Sequence, residues 1–306
     1  MRAGQLFEIS NGSRRAVVTE QGATLAQVHW DGADLLARPD DHEDDYDYFA
    51  SHGGYGQLLV PWPGRVAGGQ YEFEGRSYQL PINAVSEACS IHGFARWLAW
   101  QPTESAADRV SLQCRELAMQ GYPFPLLLEQ RYAWEKDHLD ISFMVENIGN
   151  RTAPFGYGCH PYFSAGAATI DHDSLHVPAR SYLEPDGPYP TGKVLPVDGS
   201  AYDFRRPRAI GGERLDVTLT DLDRDDEGRA EVAFRTSTGD VSITCKYDEG
   251  IDFIQLYTGD TLPAGRRKGV AVEPYTCAPG AFNNGMGLAH LAPKASLKVH
   301  WTLSAA

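Results

Sequence analysis

The chain has 306 residues, 42% of them hydrophobic and 22% charged, enough apolar material for a large core and the balance of an ordinary soluble globular protein. Its formal net charge of −14 argues against nucleic acid or an anionic membrane as partner, since either needs a basic face, but leaves room for one small anionic ligand held by a few arginines. The five cysteines, Cys89, Cys114, Cys159, Cys245 and Cys277, are odd in number and widely spaced, so free thiols in a reducing cytoplasm are expected in place of a disulfide framework or a zinc site.

In chain order, Met1 to Glu8 lacks the apolar core of a signal peptide, and no later window approaches the ~18 consecutive apolar residues of a membrane span. Strand patterns then dominate. Arg15 to Glu20 and Leu25 to Trp30 flank the turn-like Gln21-Gly22-Ala23, and Val110 to Arg115 follows. Leu126 to Trp134 and Leu139 to Asn147 flank Glu135 to His138, the second alternating apolar and polar with the period of a half-buried strand. Glu231 to Thr236, Val241 to Tyr247, Phe253 to Thr258, Gly269 to Glu273 and Leu297 to Leu303 complete the series.

Turn residues such as Asp31-Gly32, Glu74-Gly75, Gly149-Asn150, Gly239-Asp240 and Pro263-Ala264-Gly265 separate the strands at short intervals, and no long segment keeps a helical period. The pattern predicts an all-β fold of antiparallel sheets stacked as a sandwich, one domain over 1–306 with few short helices. Two acidic clusters, Asp40 to Asp45 and Asp221 to Glu227, lack the ligand spacing and tight glycine of a calcium loop and read as solvated surface loops.

Chemistry is carried by a few groups far apart in the chain. His160 stands in His160-Pro161-Tyr162-Phe163, where the proline biases it to an extended conformation. It reads equally as a proton donor near neutrality or as a core histidine capped by a backbone carbonyl. Glu273 ends the apolar run Val270-Ala271-Val272. It faces a cleft, where burial would suit it to general-base work, or it belongs to a structural ion pair. Arg65, in Val60-Pro61-Trp62-Pro63-Gly64-Arg65-Val66, and His92, in Ser90-Ile91-His92-Gly93-Phe94-Ala95-Arg96-Trp97, sit in loops rigid enough to present a polar head. Trp62 reads as a stacking surface for a sugar or as core, and Arg96, taken alone, as a surface ion pair.

Together these stretches resemble the aldose 1-epimerase (galactose mutarotase) family, from about Gly22 to the C-terminus. The likeness lies in Gly64 to Tyr71 with Phe73-Glu74-Gly75 and Tyr78-Gln79-Leu80, in Ile91-His92-Gly93, in His160-Pro161-Tyr162-Phe163, and in Glu273-Pro274-Tyr275-Thr276 with Pro279 to Asn283. The resemblance implies Glu273 as catalytic base, His160 as catalytic acid, and Arg65 and His92 as hydrogen-bond partners of the sugar. It implies Asp216 as the carboxylate gripping sugar hydroxyls, with Asp203 a nearby competitor, and a large antiparallel β-sandwich of the supersandwich type.

Gly64 stands where members usually carry Asn, Ser164 likewise, and Gly280 where they carry Asp. These departures bear on sugar preference more than on chemistry. Arg96 resembles the phosphate-binding arginine of the related hexose-6-phosphate mutarotases. The expected function is therefore interconversion of hexose anomers without metal or cofactor, by a cytoplasmic monomer or homodimer whose partner is a small sugar. The competing expectations are a phosphorylated substrate, a sugar-binding protein without catalysis, and an epimerase acting beyond C1.

Overall fold

The computed structural model describes residues 3–38, 53–116, 118–164, 166, 169–187, 189–263 and 265–306. Asp40 to Asp45, the first acidic cluster, lies outside them. The expected all-β architecture is what forms. Among the described residues the largest sheet has nine antiparallel strands, in the spatial order Arg208–Ala209, Ser174–His176, Ala230–Arg235, Ser242–Tyr247, Ser296–Ala305, Leu139–Asn147, Leu126–Trp134, Arg109–Glu116 and Gln101–Ser105. A six-stranded sheet follows the order Tyr162–Phe163, Val270–Tyr275, Phe253–Tyr257, Asp216–Leu222, Ala179–Asp186 and Tyr189–Pro196. A four-stranded sheet is built by Leu6–Asn11, Arg14–Thr19, Leu25–Trp30 and Ala33–Asp34.

Each strand that the sequence predicts has a counterpart in the structure, shifted by at most a few residues at its ends. Leu139–Asn147 alternates buried and half-buried residues along its whole length, and pairs in unbroken register with Leu126–Trp134 on one side and Ser296–Ala305 on the other. Among the strands that the sequence reading does not predict, two have a composition wrong for a sheet interior. Ala179–Asp186 carries Pro185 beside a register shift, and its neighbour Tyr189–Pro196 is an outer strand with much of its surface in water. Asp216–Leu222, likewise not predicted, does carry a signal, with Val217 and Leu219 alternating against polar neighbours. The Val270–Tyr275 strand continues through Pro274 to Tyr275, so Glu273 lies inside a strand and not at its end.

The six-stranded sheet matters for function because its two faces differ. Val217, Leu219, Ile254, Leu256, Val270 and Val272 point one way and join the main hydrophobic core with Phe234, Ile243, Val299 and Trp301 of the nine-stranded sheet. Each such side chain, fully buried, contributes on the order of 1.5–3 kcal/mol. Residues of opposite parity, including Asp216, Thr218, Gln255, Glu273 and Tyr275, point the other way and line a cleft. The apolar face thus anchors the sheet while the polar face is free to carry chemistry.

In the second acidic cluster Asp223 pairs with Arg180, and Asp225 and Glu227 with Arg229, while Arg224 within the cluster reaches out to Asp252. All five cysteines are buried, and none forms a disulfide. Among the described residues no cluster of three metal-ligating side chains occurs, and no helix is long and apolar enough to cross a membrane.

Away from the cleft, His300 on the largest sheet is held between two carboxylates, its Nε2 2.7 Å from Asp140 and its Nδ1 2.8 Å from Asp248. Hydrogen bonding to Asp140, against the opposing effect of burial, raises its pKa from the usual 6.5 to about 9. A group whose folded pKa is raised stabilises fully below its unfolded value and loses that stabilisation as pH climbs through the folded one. Because the ring is partly exposed, water screens the gain to about 1 kcal/mol or less. His300→Gln is therefore expected to lower the urea midpoint at pH 6 but to leave it near wild type at pH 10, as followed by tryptophan fluorescence.

Candidate active site

The cleft over the polar face has a volume of about 880 Å³, within the usual range for a small-molecule site. Its floor is set by strand register. Tyr162 pairs with Ala271 and Gly158 with Tyr275, which puts His160 opposite Glu273 on the same face. Glu273 in turn pairs with Gln255, and Gln255 with Thr218, so four polar side chains from four chain segments form one row across the sheet. Asp216 stands two residues from Thr218, at the open end of this face.

His160 and Glu273 are neighbours, Nε2 to Oε1 3.4 Å, and 6% and 2% exposed. They lie side by side on the floor and do not confront one another across the cleft. Tyr162 stacks on the His160 ring at 4.9 Å, and its hydroxyl is tied to the Gly53 carbonyl at 2.9 Å, while the His92 ring meets His160 edge-on at 5.6 Å. Tyr275 donates to Glu273 Oε2 at 2.5 Å. Burial pushes the Glu273 carboxyl well above the usual carboxylate range, opposed by the Tyr275 hydrogen bond, and burial pulls the His160 imidazole down to about 3. Both shifts favour the neutral form of each group, since a desolvated charge is costly.

His92 is fixed as a donor. Its Nδ1 accepts from the Gly64 N–H at 3.1 Å, which places the ring proton on Nε2. Burial, with the neighbouring His160, lowers its pKa well below the usual value, so it stays neutral. The residue is held at φ +64°, in the left-handed region that few non-glycine residues adopt. Gly93 completes the turn at φ +61°, where a Cβ would lie 2.0 Å from the Val60 carbonyl oxygen. Gly64, also left-handed at φ +67°, lies against Pro279, which a Cβ would approach to 2.7 Å.

Arg65 opens the short strand Arg65–Ala67, paired to Cys89–Ile91, and Glu87 binds its Nε. With Nε occupied, the remaining guanidinium N–H groups are available to the cleft. Asp216 accepts from Gln255 Nε2 at 2.7 Å, and burial raises its pKa, with Arg65 opposing the shift. Asp203, its competitor, is absent from the cleft and bonds Arg205 instead, at 2.9 and 2.7 Å.

Two expectations need correction. Trp62 is 1% exposed and packs edge-on to Phe94 at 4.9 Å and against Phe282 at 5.3 Å, so it belongs to the core and offers no face to a sugar. Arg96 is not a surface ion pair. Its guanidinium lies over Trp97 at 4.4 Å, donates to Gln57 at 3.2 Å and to the Ile91 carbonyl at 3.4 Å, lines the cleft, and has no carboxylate partner among the described residues. Burial lowers its pKa to about 10. Sequence reading also missed Glu87, Gln255 and Tyr275 as parts of the site. Tyr275 stood within a quoted motif, but only the strand register shows which way it points.

Comparison with known proteins follows the same line. A family profile described as aldose 1-epimerase matches residues 5–304. An uncharacterised protein of Escherichia coli K12, YihR, is 30% identical over 287 residues, 94% of this chain and 88% of that one. Human galactose mutarotase is 28% identical over 176 residues, so the match spans 55% of this chain and only half, 50%, of that protein. Among solved structures, the galactose 1-epimerase of Lactobacillus acidophilus NCFM superposes with a TM-score of 0.82 at 22% identity, covering 98% of this chain and 94% of that one. The GalM/aldose epimerase homologue of C. elegans gives 0.85 at 19%, covering 99% of each. At these identities the structures establish a shared fold.

The turn that sets His92 is directly testable. Gly12 is also left-handed, at φ +65°, but a Cβ there meets nothing within 4 Å. Gly12→Ala is expected to cost about 1 kcal/mol from conformation alone. Gly93→Ala must in addition displace the Val60 backbone and is expected to cost at least about 2 kcal/mol more. Chemical denaturation of the two variants measures the difference.

Proposed function

The chain belongs to the aldose 1-epimerase family, and from that premise we propose that it interconverts the α and β anomers of an aldohexose by acid–base opening and closing of the ring. The observation that carries this reading is the adjacent pair His160 and Glu273, 3.4 Å apart on the floor of a sugar-sized cleft. The hydroxyl that loses a proton and the ring oxygen that gains one are bonded to the same carbon. The two groups that serve them must therefore be close neighbours, and these are.

In the proposed cycle Glu273 takes the proton of the anomeric hydroxyl while His160 delivers one to the ring oxygen. The bond from C1 to the ring oxygen breaks as the carbonyl forms. Rotation about C1–C2 and closure on the other carbonyl face gives the other anomer, with the roles of the two residues exchanged. Arg65 and His92 would hydrogen-bond the sugar around its ring, and Asp216 would accept from its hydroxyls. Such orientation adds to the roughly 10²–10⁴-fold supplied by each positioned acid or base.

The pair needs one proton between its two members. Burial favours carboxylic acid and neutral imidazole at rest, and the productive carboxylate and imidazolium hold the same number of protons, one having moved over 3.4 Å. Kinetics then report the pair and not either residue, so a bell-shaped pH profile is expected, falling where the pair gains a second proton or loses its only one.

Arg96 supports a second reading, a hexose 6-phosphate as substrate, because a cleft-lining guanidinium with no carboxylate partner among the described residues is suited to an anionic group. Polarimetry or proton NMR of freshly dissolved α-galactose, α-glucose and glucose 6-phosphate separates the readings. Faster equilibration of the neutral sugars supports the first, and a preference for the phosphate that Arg96→Gln abolishes supports the second. Glu273→Gln and His160→Asn are each expected to lose at least about 10²-fold in kcat. Full activity in Glu273→Gln would end its assignment as base, and failure of every sugar to equilibrate faster with the native protein would end the enzyme reading.

A further inference from the structure

We propose that Tyr275 is a positioning residue for this reaction: its phenol clamps one oxygen of the Glu273 carboxyl, so that the other alone is presented to the hemiacetal. This rests on the function proposed above and deepens it. The two residues stand at i and i+2 on the Val270–Tyr275 strand and share its cleft face. Tyr275 donates to Oε2 at 2.5 Å, whereas Oε1 is the atom turned to His160 at 3.4 Å. Apart from His160 at Oε1, no other hydrogen-bond donor reaches Glu273 among the described residues, and no lysine or arginine pairs with it. The division of labour between the two oxygens therefore rests on one hydroxyl.

The ring is held so that it cannot swing away. Tyr275 is 1% exposed, and it lies so close to the chain opposite that a Cβ on Gly158 would sit 2.7 Å from its ring carbon. The absence of a side chain at Gly158 is what lets the phenol take this place. Pro63 flanks the same spot, at 2.8 Å from that Cβ position. A buried carboxylate with no donor at all would carry a large desolvation cost.

The choice of a phenol has a chemical reason. An arginine or lysine on Oε2 would bring a full positive charge and make Glu273 too weak a base. A neutral hydroxyl offsets part of the negative charge, does not compete for the proton being transferred, and keeps its own proton throughout. Tyr275 does not touch the reacting atoms in this arrangement; it acts through Glu273.

Tyr275→Phe keeps the ring and removes only the donor. The expected result is a fall in kcat of about 10- to 100-fold with KM changed less than about threefold, since the lost bond is one to a charged group. The pH profile of kcat/KM should also move upward by about one to two units, because a carboxylate without its donor holds its proton more tightly. Site-specific replacement of Tyr275 by a fluorotyrosine, a stronger donor of the same shape, should move the profile the opposite way.

A purely structural role would lower the thermal midpoint and leave both profiles in place, and that outcome overturns the proposal. Should Tyr275→Phe fold poorly, the fluorotyrosine protein still decides, an unmoved profile counting against the clamp. The wild-type rate separates the two levels of inference. With the wild type active, unchanged profiles remove Tyr275 alone; with the wild type inert toward every sugar, the proposed reaction falls and the positioning role with it.

Discussion

The site depends on the register of a short antiparallel pair. Tyr162–Phe163 contributes only two residues to the six-stranded sheet, yet its alignment with Val270–Tyr275 decides that His160 faces Glu273. A slip of one residue would turn His160 into the core and bring Pro161 to the cleft. What prevents the slip is the opposite face. Phe163, Val270 and Val272 are fully buried, and moving them to the cleft side would expose apolar surface that now contributes several kcal/mol. The chemistry is thus placed by packing on the side of the sheet that takes no part in it.

The same two-faced construction explains the electrostatics. A carboxyl and an imidazole in open solvent would each sit at their ordinary pKa and share no proton. Set side by side above a packed core, they are pushed in opposite directions by one cause, the loss of water. The surrounding polar groups then act by direction more than by charge. His92 is held neutral with its proton aimed by the Gly64 amide, and Tyr275 and Gln255 each supply one hydrogen bond to a carboxyl. Arg65, the cation that faces Asp216, is itself tethered by Glu87.

The sheets were legible because half-buried strands announce themselves through alternation, as Leu139–Asn147 does. His160, Glu273, Arg65, His92 and Asp216 were legible as residues, through motifs, and the structure brings all five to one cleft. Their partners were not. Glu87 lies on a three-residue turn, Val85–Glu87, with no periodicity to mark it, and Gln255 looks like any polar position of a strand. Trp62 misled because a tryptophan beside two prolines resembles a presented ring equally well when it is a buried one. Arg96 misled for the reverse reason: local sequence cannot show that its guanidinium turns into the cleft, onto Gln57 and the Ile91 carbonyl.

Departures from the family pattern also resolve into backbone physics. Gly64 and Gly280 both sit at left-handed φ, +67° and +73°, a region that asparagine and aspartate tolerate better than most residues and glycine best of all. Gly64 has the added constraint of Pro279 pressed against it, and its amide, not its side chain, is what serves the site by orienting His92. Glycine at these places therefore preserves the turn while removing a polar side chain from the neighbourhood of Arg65. The floor that carries His160 and Glu273 is left intact, and the change at Gly64 falls on the wall of the cleft.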